Sequence, residues 1–451
     1  MSDQLLKTPL FEVGSIWVKS AQDLGNRIRT AILLLSDFRD PATYVTIAVA
    51  LASIVALYYL YELLFVPLNR VRLLGDLGYV PEGKLTQKDM VNVVRKRRMV
   101  GDLPPVYPNG WFAVFESHEL KSGQVHNVSF LGKNLAVFRS EKGTAHVLDA
   151  YCPHLGANLA IGGQVKGDCL ECPFHGWQFR GDDGKCVKVP YIEDKNIPAI
   201  ANIHSYQVLE QNGFVQIWYH AEGVEPHWTP PVIDEIANGD WTYRGRTEHV
   251  INCHIEEVPE NGSDVAHLGH LHGPIMFAGI DLRYTYDKIW SFGKHMWAGE
   301  WSQCPDEKHV GILRLKHSMK LFGIHIPLLD MDVEARQTGP GIVYLLLKNK
   351  FWGRGALMHC VTPMEPMQQK MVHQIYVNRY LPTVFAKFIM LGEALMVERD
   401  IMIWNNKKYE GKPVYVKSKE DGLIAKHRRW YSQFYSENSP RLSFKQDNME
   451  W

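Results

Sequence analysis

Residues 152–177 read CPHLGANLAIGGQVKGDCLECPFHGW, and this segment carries the clearest chemical signal in the chain. It contains two short stretches that each hold one cysteine and one histidine: Cys152 with His154, and Cys172 with His175. Thiolate sulfur and imidazole nitrogen are both metal ligands, so the two pairs together supply four of them. Glycines recur through the segment and suit tight loops. The segment therefore predicts a metal centre held between two loops.

The mixed pairing distinguishes between two kinds of centre. In a Rieske centre, two cysteines bind one iron of a [2Fe–2S] cluster and two histidines bind the other. A Cys2His2 zinc site uses the same side chains, but zinc fingers usually pair cysteine with cysteine and histidine with histidine. Because each stretch here supplies one of each, the pattern favours a Rieske cluster bound by Cys152, His154, Cys172 and His175. Such a centre relays electrons.

The sequence outside this segment is typical of β-structure at first and of mixed structure later. Short runs rich in valine and aromatic residues, separated by glycine, asparagine and aspartate, predict strands. These runs lie at residues 125–130, 135–139, 214–219, 342–348 and 372–380. The last long apolar element, residues 384–405, has helical spacing. We therefore expect a small β-rich domain followed by an α+β domain.

A second chemical signal lies at residues 260–274, which read ENGSDVAHLGHLHGP. Non-haem iron(II) enzymes bind the metal through two histidines and one carboxylate. On a straight helix His267 and His270 would share a face, whereas His267 and His272 would point about 140° apart. Glycine within the segment and the Gly-Pro at its end make a break in the helix plausible. Spacing alone therefore leaves the pair open, and histidines near a helix end can also interact simply with the helix dipole.

The N-terminal part contains a long apolar segment, residues 44–66, interrupted only by Thr46, Ser53 and Glu62. About 20 apolar residues are enough to cross a bilayer. The segment predicts one transmembrane helix, with a buried core helix or a signal peptide as the alternative. Arginines on its two sides do not discriminate between the orientations: Arg27, Arg29 and Arg39 precede it, and Arg70 and Arg72 follow it.

A short basic run, residues 95–98, follows the apolar segment. It suits contact with anionic lipid headgroups as well as it suits an ordinary solvated helix face.

The composition of the chain excludes some classes of protein. The chain has 451 residues, with 49 lysines and arginines against 49 aspartates and glutamates, so no general attraction to nucleic acid is expected. The 46% hydrophobic content is enough for a sizeable core. Seven cysteines in so long a chain indicate a reducing compartment rather than a disulfide framework. Five of them are expected to be packing residues: Cys169, Cys186, Cys253, Cys304 and Cys360.

The two motifs together resemble the Rieske-type non-haem iron oxygenases, over residues 105 to about 434. Within that family, the amino-acid sequences of both motifs and the preceding apolar segment are most similar to the Neverland group, the animal cholesterol 7-desaturases. The resemblance implies that His267 and His272 bind the iron, that His270 lies outside the ligand set, and that Asp264 links the two metal centres.

The third iron ligand implied by the resemblance is a carboxylate on a late helix. Residues 398–404, ERDIMIW, resemble the acidic ligand region of the family, and Asp400 is the preferred residue. Glu393 and Glu398 are its rivals. The alternative for each is an ordinary solvated helix acid.

The implied fold class is α+β with five parts along the chain. They are an N-terminal segment (1–43), a transmembrane helix (44–66), a linker (67–104), a β-rich Rieske domain (105–222) and a helix-grip-like catalytic domain with an antiparallel sheet (223–451).

The implied function is the O2- and NAD(P)H-dependent 7,8-dehydrogenation of cholesterol to 7-dehydrocholesterol, a step of steroid hormone biosynthesis. Electrons from NAD(P)H would arrive through a separate reductase, because no stretch of the chain has the dinucleotide-binding fingerprint. They would pass through the [2Fe–2S] cluster to a mononuclear Fe(II), which activates O2. Two alternatives stay open: a Rieske-type hydroxylase of a sterol or another hydrophobic ring, and a membrane Rieske electron-transfer protein.

The resemblance also implies partners and a location. A head-to-tail homotrimer is expected, as is contact with membrane lipid. The reducing compartment favours a single-pass protein of an endoplasmic-reticulum-type membrane with its catalytic part in the cytosol; a glycan at the sequon Asn127-Val128-Ser129 would reverse that topology. An apolar cholesterol pocket is expected. The residues that could line this pocket are Met276, Phe277, Phe322, Phe351, Trp352 and Met364. The alternative for each is ordinary packing in the core.

Overall fold

A computed structural model of the chain describes residue 26 and residues 41–97, 102–193 and 196–442. The chain divides into two units, residues 1–66 and residues 67–451. Of the residues considered above, Arg27, Arg29, Arg39 and Arg98 lie outside the described part, as does nearly all of the segment 1–43.

The first unit contains helix α1, Pro41–Phe65, which begins three residues before the predicted span. It is predominantly apolar, and its large apolar side chains are mostly exposed. Within the described residues, this helix alone has the length and composition needed to cross a membrane.

The second unit contains the remaining helices and all the strands that the described residues form. Its helices are α2 Gln87–Arg97, α3 Asp234–Ala237, α4 Glu257–Glu260, α5 Val265–His270, α6 Thr383–Trp404 and α7 Lys419–Tyr431. Its first eleven strands are β1 Leu68–Arg72, β2 Gly110–Glu116, β3 Val125–Phe130, β4 Lys133–Arg139, β5 Ala145–Asp149, β6 Gln164–Lys166, β7 Cys169–Glu171, β8 Gln178–Arg180, β9 Cys186–Lys188, β10 Val208–Gln211 and β11 Phe214–Tyr219. The other eight are β12 Trp241–Ile251, β13 Gly293–Gln303, β14 Val310–Leu321, β15 Ile324–His325, β16 Met331–Thr338, β17 Ile342–Asn349, β18 Gly353–Glu365 and β19 Gln368–Asn378.

Strands β2 to β11 form three small antiparallel sheets, in the orders β10-β11-β2, β3-β4-β5 and β6-β7-β8-β9. Two of these strands, β3 and β11, have the bounds predicted from the runs of valine and aromatic residues. The β-rich character of this part is thus confirmed. The loops on both sides of β6 and β7 carry the cysteine–histidine pairs.

A nine-stranded sheet dominates the remainder, with its main path in the order β1-β12-β19-β18-β17-β16-β14-β13 and β15 paired to β14. Its pairs are antiparallel except for β1, which lies parallel to β12. Residues 67–104, considered a linker from the sequence, therefore contribute a strand to this sheet and the helix α2. A strand of five residues beside a charged stretch gives too little periodicity to be recognised from sequence.

Helix α6 packs against this sheet, chiefly on β12 and β19. One stripe of the helix is buried at helical spacing: Ala386, Met390, Ala394, Val397 and Ile401. All of these except Ala394 belong to the hydrophobic core. Burial of each of the larger side chains stabilises the contact by about 1.5–3 kcal/mol. A second face of α6, offset from this stripe, is left to line a cavity. The α+β class with an antiparallel sheet is confirmed.

Candidate active site

The two cysteine–histidine loops have the same backbone structure. In each, the cysteine N–H donates to the carbonyl oxygen five residues later, at 2.9 Å from Cys152 and 2.7 Å from Cys172. The carbonyl of each cysteine accepts from a glycine N–H four residues later, at 2.9 and 3.1 Å. Both glycines, Gly156 and Gly176, have φ of +73°, a left-handed conformation that glycine adopts without strain. The glycines predicted to shape these loops thus do so.

The side chains of these loops separate into a buried and a surface layer. Cys152 and Cys172 are 3% and 2% exposed. The rings of His154 and His175 lie nearer the surface with their centroids 4.7 Å apart, and His154 stacks on Trp177 at 4.8 Å. The two thiols thus lie together on one side and the two imidazoles on the other, which fits a Rieske cluster because one of its irons takes two sulfurs and the other takes two nitrogens.

The histidine-rich segment forms a helix that ends early. Helix α5 ends at His270, so His272 lies two residues beyond the helix and is not bound by the spacing of a straight helix. The rings of His267 and His272 lie with their centroids 5.0 Å apart. His270 is exposed and stacks on Tyr286 instead, at 5.0 Å. The helix end therefore selects the pair that spacing alone left open.

A carboxylate of α6 meets this pair. One ligand atom each of His267, His272 and Asp400 lie within 4.8 Å of one another, and Nε2 of His272 is 3.3 Å from Asp400 Oδ1. His272 and Asp400 are 3% and 6% exposed. Nδ1 of His272 is buried with no hydrogen-bond partner among the described residues. Two histidines and a carboxylate on one side of a site are the ligand set of non-haem iron(II).

Asp264, at the start of α5, orients His267 of this ligand set. Its carboxylate caps the helix by accepting from the backbone N–H of His267 at 3.2 Å. Its backbone carbonyl contacts Nδ1 of His267, and since a carbonyl can only accept, that nitrogen carries the proton. The other nitrogen, Nε2, is then left with a lone pair for a metal.

The two rival acids of α6 have other surroundings. Glu398 accepts from Arg70 at 2.7 and 2.8 Å and lies 3.3 Å from His249. Burial raises the pKa of Glu398, but the hydrogen bonds from His249 and Arg70 outweigh it and lower that pKa to about 2. Glu393 is near the same face of the helix as Asp400, about two turns away, and desolvation raises its pKa to about 7. Neither belongs to the group of ligand atoms.

Arg399 joins the two parts of this site, a role that was not predicted from the sequence. Its guanidinium is buried and donates to four backbone carbonyls in the segment 271–279, at 2.9 to 3.2 Å. Burial lowers the pKa of Arg399. The residue joins the segment that carries His272 to the helix that carries Asp400. An arginine within an apolar helix was the signal available in the sequence.

Two adjoining cavities lie in this part of the second unit, and the proposed iron ligands line one of them. The smaller one, of about 180 Å3, is lined by His267, His272 and Asp400. The larger one, of about 860 Å3, lies between the sheet and the second face of α6. They share wall residues, namely Trp297, Leu315, Leu345, Glu393 and Met396. The larger volume falls in the range of ~300–1,000 Å3 that is usual for small-molecule sites.

The larger cavity is almost wholly apolar. Most of its wall consists of leucine, isoleucine, valine, methionine and aromatic side chains from β14, β16, β17 and α6. Of the six side chains suggested from sequence, Met276, Phe277 and Trp352 line it. Phe322, Phe351 and Met364 do not; the first two are 78% and 63% exposed. Aromatic character alone does not distinguish a cavity wall from a loop surface.

Comparison with known proteins matches two successive parts of the chain to two families. Residues 110–207 match the family described as the Rieske [2Fe-2S] domain, and residues 217–435 match the 3-ketosteroid 9alpha-hydroxylase C-terminal domain. A cholesterol 7-desaturase of Xenopus laevis is 50% identical over 416 residues, which cover 92% of this chain and 91% of the relative. One of Hemicentrotus pulcherrimus is 46% identical over 429 residues, 95% and 91% of the two chains.

Among solved structures, dicamba monooxygenase bound to 3,6-dichlorosalicylic acid has the same fold. The match has a TM-score of 0.55 at 16% identity and covers 73% of this chain and 98% of the other.

Proposed function

This chain belongs to the cholesterol 7-desaturase family of Rieske oxygenases, and from that premise we propose that it removes the hydrogens at C7 and C8 of cholesterol to give 7-dehydrocholesterol. The chain is an oxidoreductase with a Rieske [2Fe–2S] domain. One observation carries the proposal of substrate: an apolar cavity of about 860 Å3 shares five wall residues with the smaller cavity that His267, His272 and Asp400 line. A large, rigid, apolar molecule bound there would lie beside that group.

Cys152, His154, Cys172 and His175 would hold the cluster, and His267, His272 and Asp400 would hold a mononuclear iron(II). When bound, the two groups would supply single-electron transfer and O2 activation. The residues fit these groups by their chemistry: two buried thiols and two outer imidazoles in one case, and two imidazoles beside a buried carboxylate in the other.

The protein itself positions the metal ligands and excludes water from the substrate. Asp264 sets the proton on Nδ1 of His267, so Nε2 faces the site as a lone pair. Arg399 fixes the segment that carries His272. The apolar wall excludes water from the neighbourhood of the substrate, which prevents side reactions of reactive intermediates.

The electron source and the assembly are further parts of the proposal. A separate reductase that uses NAD(P)H would supply electrons. The chain would form a homotrimer in which Asp264 lies between the iron site of one subunit and the Rieske domain of its neighbour. Sedimentation of the purified, active enzyme tests this, because a fully active monomer would contradict it.

Location follows from α1 and from the use of thiol ligands. We propose that α1 spans a membrane of the endoplasmic-reticulum type once, that this places the protein in contact with lipid, and that the catalytic unit is cytosolic. Asn127 of the sequon lies in β3. A glycan found on Asn127 would reverse this topology, because N-glycosylation marks the secretory side of the membrane.

The decisive experiment is product analysis. Purified full-length chain, reductase, NAD(P)H and O2 are incubated with cholesterol, and the products are examined by mass spectrometry. Loss of two hydrogens supports desaturation. Gain of one oxygen without that loss would support the alternative, a sterol hydroxylase, which the match of residues 217–435 to a hydroxylase domain favours. The electron-transfer alternative does not account for residues 217–435.

A further inference from the structure

The apolar cavity contains a pair of linked imidazoles. His295 on β13 and His317 on β14 both line it. Nδ1 of His295 lies 2.8 Å from Nε2 of His317, and Nδ1 of His317 lies 3.1 Å from the carbonyl oxygen of Leu329. Glu393 is the one other titratable side chain among the described residues of this wall.

The direction of these hydrogen bonds follows from the carbonyl. A carbonyl oxygen can only accept, so Nδ1 of His317 carries a proton and donates to Leu329. In a neutral imidazole the other nitrogen is then an acceptor, so Nε2 of His317 accepts from Nδ1–H of His295. By the same rule Nε2 of His295 has a bare lone pair. That atom is buried and has no hydrogen-bond partner among the described residues.

The surroundings favour the neutral form of both rings. Burial lowers the pKa of His295 to about 3, with the charges of His317, Arg399 and His272 acting in the same direction. Burial also lowers the pKa of His317. The pair therefore presents an acceptor and no donor at its free end.

The pair lies close to the proposed iron site. The backbone N–H of His295 donates to the carbonyl of Gly273, the residue after His272, at 2.8 Å. His317 is one inward-facing position along β14 from Leu315, which belongs to both cavities, a separation of about 7 Å. From Met396 the cavity wall continues along α6 to Val384, about 18 Å away.

We propose that Nε2 of His295, oriented by His317, accepts the hydrogen bond of the sterol hydroxyl and thereby selects 3-hydroxysterols over 3-ketosterols. This inference rests on the proposed function, since it assumes that the large cavity holds the sterol. A hydroxyl can donate to the lone pair, whereas a ketone oxygen brings a second acceptor toward it. Bound in this way, the hydroxyl-bearing ring lies at the iron end and the apolar remainder extends along α6.

The test is a competition that needs no mutation. Full-length protein containing both metal centres is bound to radiolabelled cholesterol in detergent micelles, and cholestanol and cholestan-3-one, which differ only in alcohol against ketone, are used to displace it. We expect the alcohol to bind about tenfold more tightly, the effect of one buried hydrogen bond. Equal displacement would overturn the inference. Absence of cholesterol binding would instead overturn the proposed function.

Variants then assign the preference to this pair. His295→Leu removes the acceptor and His317→Leu removes the group that orients it, so either change should bring the alcohol-to-ketone ratio close to one. Met319→Leu, on the same strand and in the same wall, should keep the tenfold ratio. Iron content is measured in each variant to exclude loss of the nearby site. Persistence of the preference in His317→Leu with full iron content would refute the role of the pair.

Discussion

The replacement Arg399→Met is expected to release the segment that carries His272 and to cost the mononuclear iron while sparing the cluster. The guanidinium donates to the carbonyls of Leu271, Pro274, Ile275 and Gly279. Hydrogen bonds to a charged group contribute ~1.5–3 kcal/mol each, and carbonyls left buried and unpaired cost ~1–3 kcal/mol each. Because the effects are not additive and the buried charge itself costs desolvation energy, the net loss should be about 3–5 kcal/mol.

The assay separates local release from general damage. Hydrogen exchange in residues 271–279 should become faster, iron per chain should fall by one atom, and the visible spectrum of the cluster should persist. Arg399→Lys keeps the charge but has three donors for four acceptors, so its effect should be smaller. Arg336→Met, which removes a surface ion pair with Glu334, serves as the matched control and should change stability by less than ~1 kcal/mol. Full iron and unchanged exchange in Arg399→Met would refute the reasoning.

Three further predictions concern acids and histidines near the site. Asp400→Asn should lose the mononuclear iron whereas Glu393→Gln should keep it, as metal analysis of the purified variants would show; a fully loaded, active Asp400→Asn would remove Asp400 from the ligand set. His270→Ala should leave iron content and turnover unchanged, because this ring is exposed and outside the group; a large loss of iron would contradict that. Glu398 has a pKa lowered from 4.5 to about 2, so the stability it contributes, ~3 kcal/mol, is present above pH 4.5 and lost as the pH falls toward 2. Chemical unfolding of Glu398→Gln across this range should show a shallower pH dependence than the parent; identical slopes would refute it.

Short sequence patterns predicted much of the fold and of the cluster-binding loops. The cysteine–histidine spacing, the glycines of the two loops and the runs of valine and aromatic residues in β3 and β11 all act over a few residues, so they can be read along the chain. The strand β1 could not be recognised in this way. Its partner β12 lies more than 170 residues later, and five residues have little periodicity of their own.

The choice among the three acids of α6 shows a different limit. Glu393, Glu398 and Asp400 all lie on one helix and have similar side chains. What distinguishes them is their surroundings: an ion pair with Arg70 for Glu398, a cavity wall for Glu393, and the two histidines for Asp400. The family resemblance pointed to Asp400, but helical position alone could not, since Glu393 lies near the same face.

The sequence by itself determined the cluster-binding loops, the β-rich and α+β character of the two domains and the presence of an apolar helix, because these depend on residue type and short spacing. Only the tertiary structure decided that α5 ends before His272, that Arg399 joins distant segments, and that His295 and His317 form a polar pair in an apolar cavity. Each of these depends on groups that are far apart in the chain and that meet only when the sheet and α6 pack together.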